Sequence, residues 1–338
     1  MIMKEEVKAL WKLCFNDSET FIDMYFRLRY TDEVNVAIQK DTAIISALQM
    51  LPYPMSFCGH TVQTSYISGA CTHPDFRGKG TMRELLTLAF KRMLHNGISF
   101  STLIPAEPWL FNYYTQMGYA PVFQHSVKEV IVPSITPSPK IKINSISDYQ
   151  EEVYQYLNRE LSKRSCCIQH TSDDFKIIMT DLGISDGILV IAKQENIING
   201  LAIAYNGNEN LIINELLADS KDIENQLLHY LQQQSGHGQI IRLLPVNNEQ
   251  SRHSFGMARI INAKEVLKLY ATTFPELTMN FELTDKQLPI NNGYYYIQKG
   301  KCEFSTEQLP EISTQMNISE LSNKLLQPLH PYMSLMLN

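Results

Sequence analysis

The stretch with the densest chemical potential is Tyr66 to Met82, YISGACTHPDFRGKGTM. It reads as a strand that breaks at His73-Pro74-Asp75, passes through Arg77-Gly78-Lys79-Gly80 and enters a helical pattern from Thr81. The first amides of a helix have no partner inside it and carry the positive end of the helix dipole, so a strand–glycine turn–helix unit is suited to hold an anion such as a phosphate. Gly78 and Gly80 allow close backbone approach because no Cβ intervenes, and Arg77 and Lys79 bring positive charge. The spacing is not that of a nucleoside triphosphate loop, because Gly78-Lys79-Gly80-Thr81 lacks the four-residue interval. It is not a dinucleotide fingerprint either, because Arg83 stands at the third glycine position.

Other reactive residue types do not form sites of their own. The six cysteines and nine histidines are dispersed, with no Cys-x-x-Cys and no His-x-x-x-His. The reading is therefore reduced, structural thiols and no metal. A net charge of −6 without any basic run argues against a nucleic-acid partner, which needs clustered Lys and Arg to neutralise phosphates. Glu5, Glu6 and Lys8 fall where a signal peptide would need its apolar core, and no apolar run reaches membrane-spanning length, so the expectation is a cytoplasmic chain with no membrane partner.

The elements that must position the glycine turn can be read from periodicity. Val7, Leu10, Trp11 and Cys14 give a first helix, and Phe21 to Leu28 a second, capped at Asp17-Ser18. Strands are expected at 34–39, 42–51 and 61–70, then a helix at 81–95 closed by Asn96-Gly97, and a buried strand at 98–104. A short helix over 106–117 ends at Gly118, and a long strand covers 119–132. The Pro/Ser-rich run from Val132 to Pro139 reads as a linker. Beyond it the same order returns: helices at 149–161 and 173–182, strands at 187–192, 198–205 and 211–217, a helix at 221–233 and a strand at 239–244. The second turn, Ala218-Asp219-Ser220-Lys221-Asp222, has no glycine and two carboxylates, which would repel a phosphate. A third region starts at Met257, with a helix at 263–271, strands at 277–283, 293–298 and 301–304, and a helix at 318–325.

The run HPDFRGKG, entered from a strand and followed by a helix, resembles motif A of the GNAT N-acetyltransferases, although Met82 stands at its last small-residue position. With IPAEPWLFNYYTQMGY, MARII and the terminal PYMSLMLN, the whole chain resembles the enhanced-intracellular-survival (Eis) subgroup. The resemblance implies an α+β fold. Residues 1–133 would be a catalytic GNAT domain, 134–256 a degenerate GNAT-like mixed-sheet domain without the coenzyme motif, and 257–338 a small sterol-carrier-like α/β domain.

The resemblance also implies an activity, acetyl transfer from acetyl-CoA to a primary amine of a small polyamine, an aminoglycoside-like molecule or a lysine. The backbone of Gly78, Lys79, Gly80, Thr81 and Met82, with Arg77, would meet the pyrophosphate. Ala70, Cys71 and Thr72 would pair with the pantetheine arm. In the pattern Tyr114-Thr115-Gln116-Met117-Gly118-Tyr119, Tyr114 would be the general acid. The α-carboxyl of Asn338 would be the general base, in keeping with an apolar tail that calls for burial. Cys71 is not needed as a nucleophile, and Glu107 and Trp109 are read as facing the acceptor or coenzyme, or as a cap and a core aromatic. Self-association is a property of the subgroup, and the alternative to an enzyme is an acyl-CoA or apolar-ligand binding protein.

Overall fold

The computed structural model describes residues 2–246, 252–308 and 314–337. By compactness the chain forms two units, one of residues 1–123 and 255–331, the other of residues 124–254 and 332–337. Compactness thus groups the front and the third region of the sequence, whereas their order along the chain is interrupted by the second unit.

In the first unit, helices α1 (Ile2–Cys14) and α2 (Glu19–Leu28) precede strands β1 (Asn35–Lys40), β2 (Ala43–Phe57) and β3 (His60–Thr72). A 3-10 turn at Pro74–Phe76 leads to α3 (Thr81–His95), β4 (Phe100–Leu103), α4 (Leu110–Gln116) and the start of β5 (Ala120–Glu129). The second unit then contributes β6 (Lys142–Ser145), α5 (Glu151–Ser162), β7 (Cys166–Ile168), α6 (Ser172–Ile184), β8 (Ile188–Gln194), β9 (Ile197–Asn206), β10 (Asn210–Ala218), α7 (Lys221–Ser235) and β11 (Gln239–Pro245). The chain returns through β12 (His253–Ile260), α8 (Ala263–Thr273), β13 (Met279–Thr284), β14 (Gly293–Gln298), β15 (Lys301–Ser305), β16 (Thr314–Asn317) and α9 (Ile318–Leu326).

Strands β1, β2, β3, β4 and β12 follow one another in the sheet of the first unit. The β1–β2–β3 meander is antiparallel, and β3 pairs with β4 in parallel through the α3 crossover. Helix α3 buries Leu85, Leu86, Ala89, Phe90 and Met93, a stripe at helical spacing, against Val36, Leu48, Ile67 and Leu103. β12 lies antiparallel to β4, from Met257 opposite Leu103 to Ile260 opposite Phe100. The expected third region therefore starts inside the first sheet. The rest of it forms a separate four-stranded sheet in the order β15–β14–β13–β16.

The second unit repeats the plan. α5 and α6 precede the antiparallel β8–β9–β10, and β10 runs parallel to β11 across α7. One core cluster lies on the α5/α6 side, around Tyr156, Phe175, Leu201 and Ile203, and another on the α7 side, around Ile213, Ile223, Leu227 and Leu231. Among the described residues no helix is long and apolar enough to cross a membrane.

Candidate active site

Strand β3 carries the first half of the site. Its pairing with β4 covers only Thr64, Tyr66 and the residue between them, so β3 continues from Ile67 to Thr72 beyond the end of that ladder. On its other edge the register with β2 slips. Cys71 faces Ala47 and Ser68 faces Gln49, leaving Gly69 and Ala70 opposite Leu48 alone, a bulge that adds local twist. Gly69 sits at φ +58°, where a Cβ would lie 2.0 Å from the Trp11 ring and 2.7 Å from Gln49 Oε1. Only glycine fits that bend, which fixes where the strand leaves its neighbour.

The turn that follows is built to leave its amides exposed. Gly78 and Gly80 take φ +73° and +84°, a region side chains rarely enter, and Gly80 is the N-cap of α3 without any side-chain cap. The Gly80 carbonyl accepts Glu84 N–H at 3.1 Å, which starts the helix. The chain makes a turn over 77–80, and among the described residues no backbone or side-chain acceptor takes a well-formed hydrogen bond from the N–H groups of Gly78 to Arg83. Uncapped amides at the positive end of a 15-residue helix suit an anion.

The cationic side chains are held close to this turn rather than extended from it. Arg77 Nε donates to the Thr72 carbonyl at 3.0 Å, and its Nη2 reaches Cys14 Sγ at 3.7 Å. Lys79 Nζ donates to the Asp75 carbonyl at 2.8 Å and lies over the Phe76 ring. Of the expected pantetheine partners, the Thr72 carbonyl is thus shared with Arg77, and the Cys71 carbonyl accepts Ser46 Oγ at 2.8 Å. Ala70 is half-buried.

Cys14, read from sequence only as a structural thiol, turns out to belong to this corner. Its Sγ contacts the Thr72 carbonyl at 3.5 Å as well as Arg77. Hydrogen bonding from the Cys71 thiol, together with the Arg77 guanidinium, lowers Cys14 to about 6, whereas the same pairing and burial raise Cys71 well above the usual thiol range. Cys71 therefore keeps its proton and is a poor nucleophile. The shift favours the Cys14 thiolate near pH 7. Iodoacetamide at that pH should label it ahead of the other cysteines, with a rate that climbs through pH 6 and then levels. Peptide mass mapping that showed Cys14 labelling rising only toward pH 9 would contradict this assignment.

Tyr114 lies on α4, a helix shorter than expected because 106–109 form turns before it. Its ring packs edge-on against Tyr113 and Tyr119, at centroid distances of 5.4 and 5.7 Å, within the core that includes Leu86, Phe90 and Met117. Only 8% of it is exposed, and burial pushes its phenol above the ordinary value, so it stays protonated throughout the physiological range. No hydrogen bond from the described residues engages its hydroxyl. Glu107 and Trp109 precede the helix instead of starting it. Trp109 is 66% exposed, which removes the core-aromatic reading, and Glu107 is exposed as well. Asn338 lies outside the described residues.

Sequence reading missed what anchors α4. Arg259, fully buried, donates through Nη1 to the Met117 carbonyl at 3.0 Å and through Nη2 to both oxygens of Asp285 at 2.8 Å. Ser319 Oγ donates to the Tyr119 carbonyl at 2.7 Å. The only hint in the sequence was a charge in the middle of an apolar strand, Met257-Ala258-Arg259-Ile260.

The second unit has the same strand–helix plan without the uncapped amides. Ser220 caps α7 by accepting Ile223 N–H at 3.3 Å, and Arg242 Nη2 donates to the Leu216 carbonyl at 3.1 Å, past the last β10–β11 pair. Asp219, read as repelling a phosphate, accepts Tyr156 OH and Asn199 Nδ2 instead. Its helix terminus is closed by its own cap.

Comparison with known proteins agrees with this geometry. Residues 3–122 match the family model of an acetyltransferase (GNAT) domain. Among solved structures, a probable N-acyltransferase from Enterococcus faecalis superposes with a TM-score of 0.75 at 15% identity, over 98% of this chain and 95% of that one. A GCN5-related N-acetyltransferase from Kribbella flavida gives 0.74 at 14% over 100% and 96%. Eis1 from Mycobacterium abscessus gives 0.73 at 10% over 96% and 87%. At such identities the likeness is one of fold. No curated protein matches the chain by sequence. With the matched family model covering the strand, the turn and α4, residues 3–122 are a GNAT acetyltransferase domain and the protein is an acyltransferase.

Proposed function

We propose that the chain moves an acetyl group from acetyl-CoA to a primary amine by direct attack in a ternary complex, as an Eis-like enzyme. The observation that carries the reading is the run of unengaged amides from Gly78 to Arg83 at an uncapped helix start, which suits a pyrophosphate. Thr81 and Met82 lie within it. The stretch of β3 past its β4 ladder suits an extended amide arm, with Ala70, Cys71 and Thr72 as backbone partners. Acetyl-CoA supplies a thioester whose carbonyl gains negative charge as the amine attacks. A backbone N–H of β3 would take up that charge.

In this reading Tyr114 gives a proton to the departing thiolate, and the terminal carboxylate of Asn338 takes one from the amine. The protonated state of Tyr114 and its unengaged hydroxyl support the first role. The second is carried by the family resemblance. The acceptor is a small polyamine, an aminoglycoside-like molecule or a lysine, and 257–338 is proposed as a sterol-carrier-like module in a chain that self-associates. Following CoA release with a panel of polyamines, aminoglycosides and lysine peptides tests the proposal. Removing Asn338 shifts the terminal carboxylate by about 3.5 Å and should cost the best acceptor more than tenfold in kcat. Acetyl-CoA binding with no amine turned over would instead favour a binding protein.

A further inference from the structure

The C-terminal segment 332–337 packs within the second unit, and its attachment is specific in a way an apolar tail does not require. Tyr332 forms a parallel bridge with Cys167 of β7. Its N–H donates to the Cys166 carbonyl at 2.9 Å, and its carbonyl accepts Ile168 N–H at 3.0 Å. Tyr332 and Leu335 join the α5/α6-side core, and the Arg164 guanidinium lies 4.0 Å above the Tyr332 ring.

At the centre of this contact is a buried carboxylate. Glu215, 3% exposed on β10, accepts both the Tyr332 hydroxyl and the Ser334 hydroxyl at the same oxygen, each at 2.8 Å. His170 Nε2–H donates to the Ser334 carbonyl at 3.0 Å. Burial pushes Glu215 upward, and the two hydroxyls pull it back. An apolar residue in the strand Ile212-Ile213-Asn214-Glu215-Leu216 would avoid the desolvation cost, so a carboxylate there adds register rather than adhesion. Displacing the segment by one residue would break both hydroxyl bonds at once. Leu335 also holds φ +56°, a conformation a bulky side chain adopts only when its surroundings enforce it.

The opposite side of this unit's sheet packs against α7. Its α7 terminus is capped by Ser220 and the gap beside β10 is bridged by Arg242, so the coenzyme side is closed. We propose that the second unit is a dock for the segment 332–337, in which Glu215 is the positioning residue that fixes the segment's register. The catalytic consequence rests on the reading of Asn338 as the base.

The test uses Glu215→Leu, Glu215→Gln and the double variant Tyr332→Phe/Ser334→Ala in the full chain, read by amide exchange at 332–337, by release of C-terminal residues with carboxypeptidase, and by steady-state acetyl transfer. Glu215→Leu and the double variant should lose at least tenfold in exchange protection of the segment and release C-terminal residues at least tenfold faster. Their kcat should fall at least tenfold, while the KM for acetyl-CoA stays within twofold. Glu215→Gln retains an acceptor oxygen and should recover most of the protection. Should Glu215→Leu not fold, the double variant, which leaves the strand untouched, carries the test. Unchanged protection and release in the folded variants would overturn the dock. A freed segment with wild-type kcat would uphold the dock and remove the terminal carboxylate from the mechanism.

Discussion

Tyr114→Phe should lower kcat by roughly 10²–10⁴-fold, the range by which a positioned proton donor speeds a reaction, while leaving stability and acetyl-CoA affinity close to wild type. The variant is clean for a structural reason. The Tyr114 ring fills a core bounded by Tyr113, Tyr119 and Met117, and phenylalanine keeps that volume. Its hydroxyl has no partner among the described residues, so removing it strands no buried group. The loss in rate is then attributable to the proton alone. Because burial raises the Tyr114 phenol, the wild-type pH–rate profile should show no limb from this group below its ordinary value of about 10. Tyr113→Phe is the control. That hydroxyl is buried with no partner among the described residues, and its removal should leave kcat within about threefold. Equal losses in both variants, or none in Tyr114→Phe, would take the proton-donor role from Tyr114.

How much of this was legible depends on how local each feature is. The glycine turn and α3 were readable because their causes lie within some twenty residues: two glycines at positive φ, an apolar stripe at helical spacing, and Asn96-Gly97 as a stop. The expected second strand ends at Leu51, just before Pro52 and Pro54. The strand runs on to Phe57 because both prolines lie past Gln49, the last β2 residue paired with β1 (opposite Asn35), so no ladder bond to β1 is lost. The second turn was judged unable to bind phosphate because of its charge. The structure supplies a different cause, a cap by Ser220 that uses the amide a ligand would need.

Features that join distant segments had no such signature. β12 lies beside β4 although some 155 residues separate them, and a stretch such as MARII reads equally well as the start of a new region. Glu215 and Tyr332, 117 positions apart, are both unremarkable until the fold brings them within a hydrogen bond. Local propensity specifies elements, but which elements become neighbours is decided by long-range packing, and the polar pairs buried there can be recognised only once both partners are placed.

The other large expected effect lies in one of those pairs. Arg259→Met should destabilise the first unit by about 3–5 kcal/mol, since it leaves the Asp285 carboxylate buried without its counter-charge. Both residues are at most 1% exposed. Asp285 also accepts Gln287 N–H, Leu288 N–H and Asn291 Nδ2, so it cannot turn away to reach water without giving up the loop it organises. Arg259 in turn lies 4.4 Å from the Phe90 ring and supports Gly118, whose position would place a Cβ 1.8 Å from Nη1. For a unit of this size the loss corresponds to a fall of roughly 6–20 °C in its unfolding midpoint. Arg259→Met/Asp285→Asn should recover part of that, because the amide carries no charge yet still accepts one or two of the loop's donors. The Met117 carbonyl loses its donor in either variant, so the end of α4 loosens and kcat should fall even at temperatures where the unit remains folded. A midpoint within about 2 °C of wild type for Arg259→Met, smaller than one lost buried hydrogen bond would give, would mean that α4 is held by its apolar face alone.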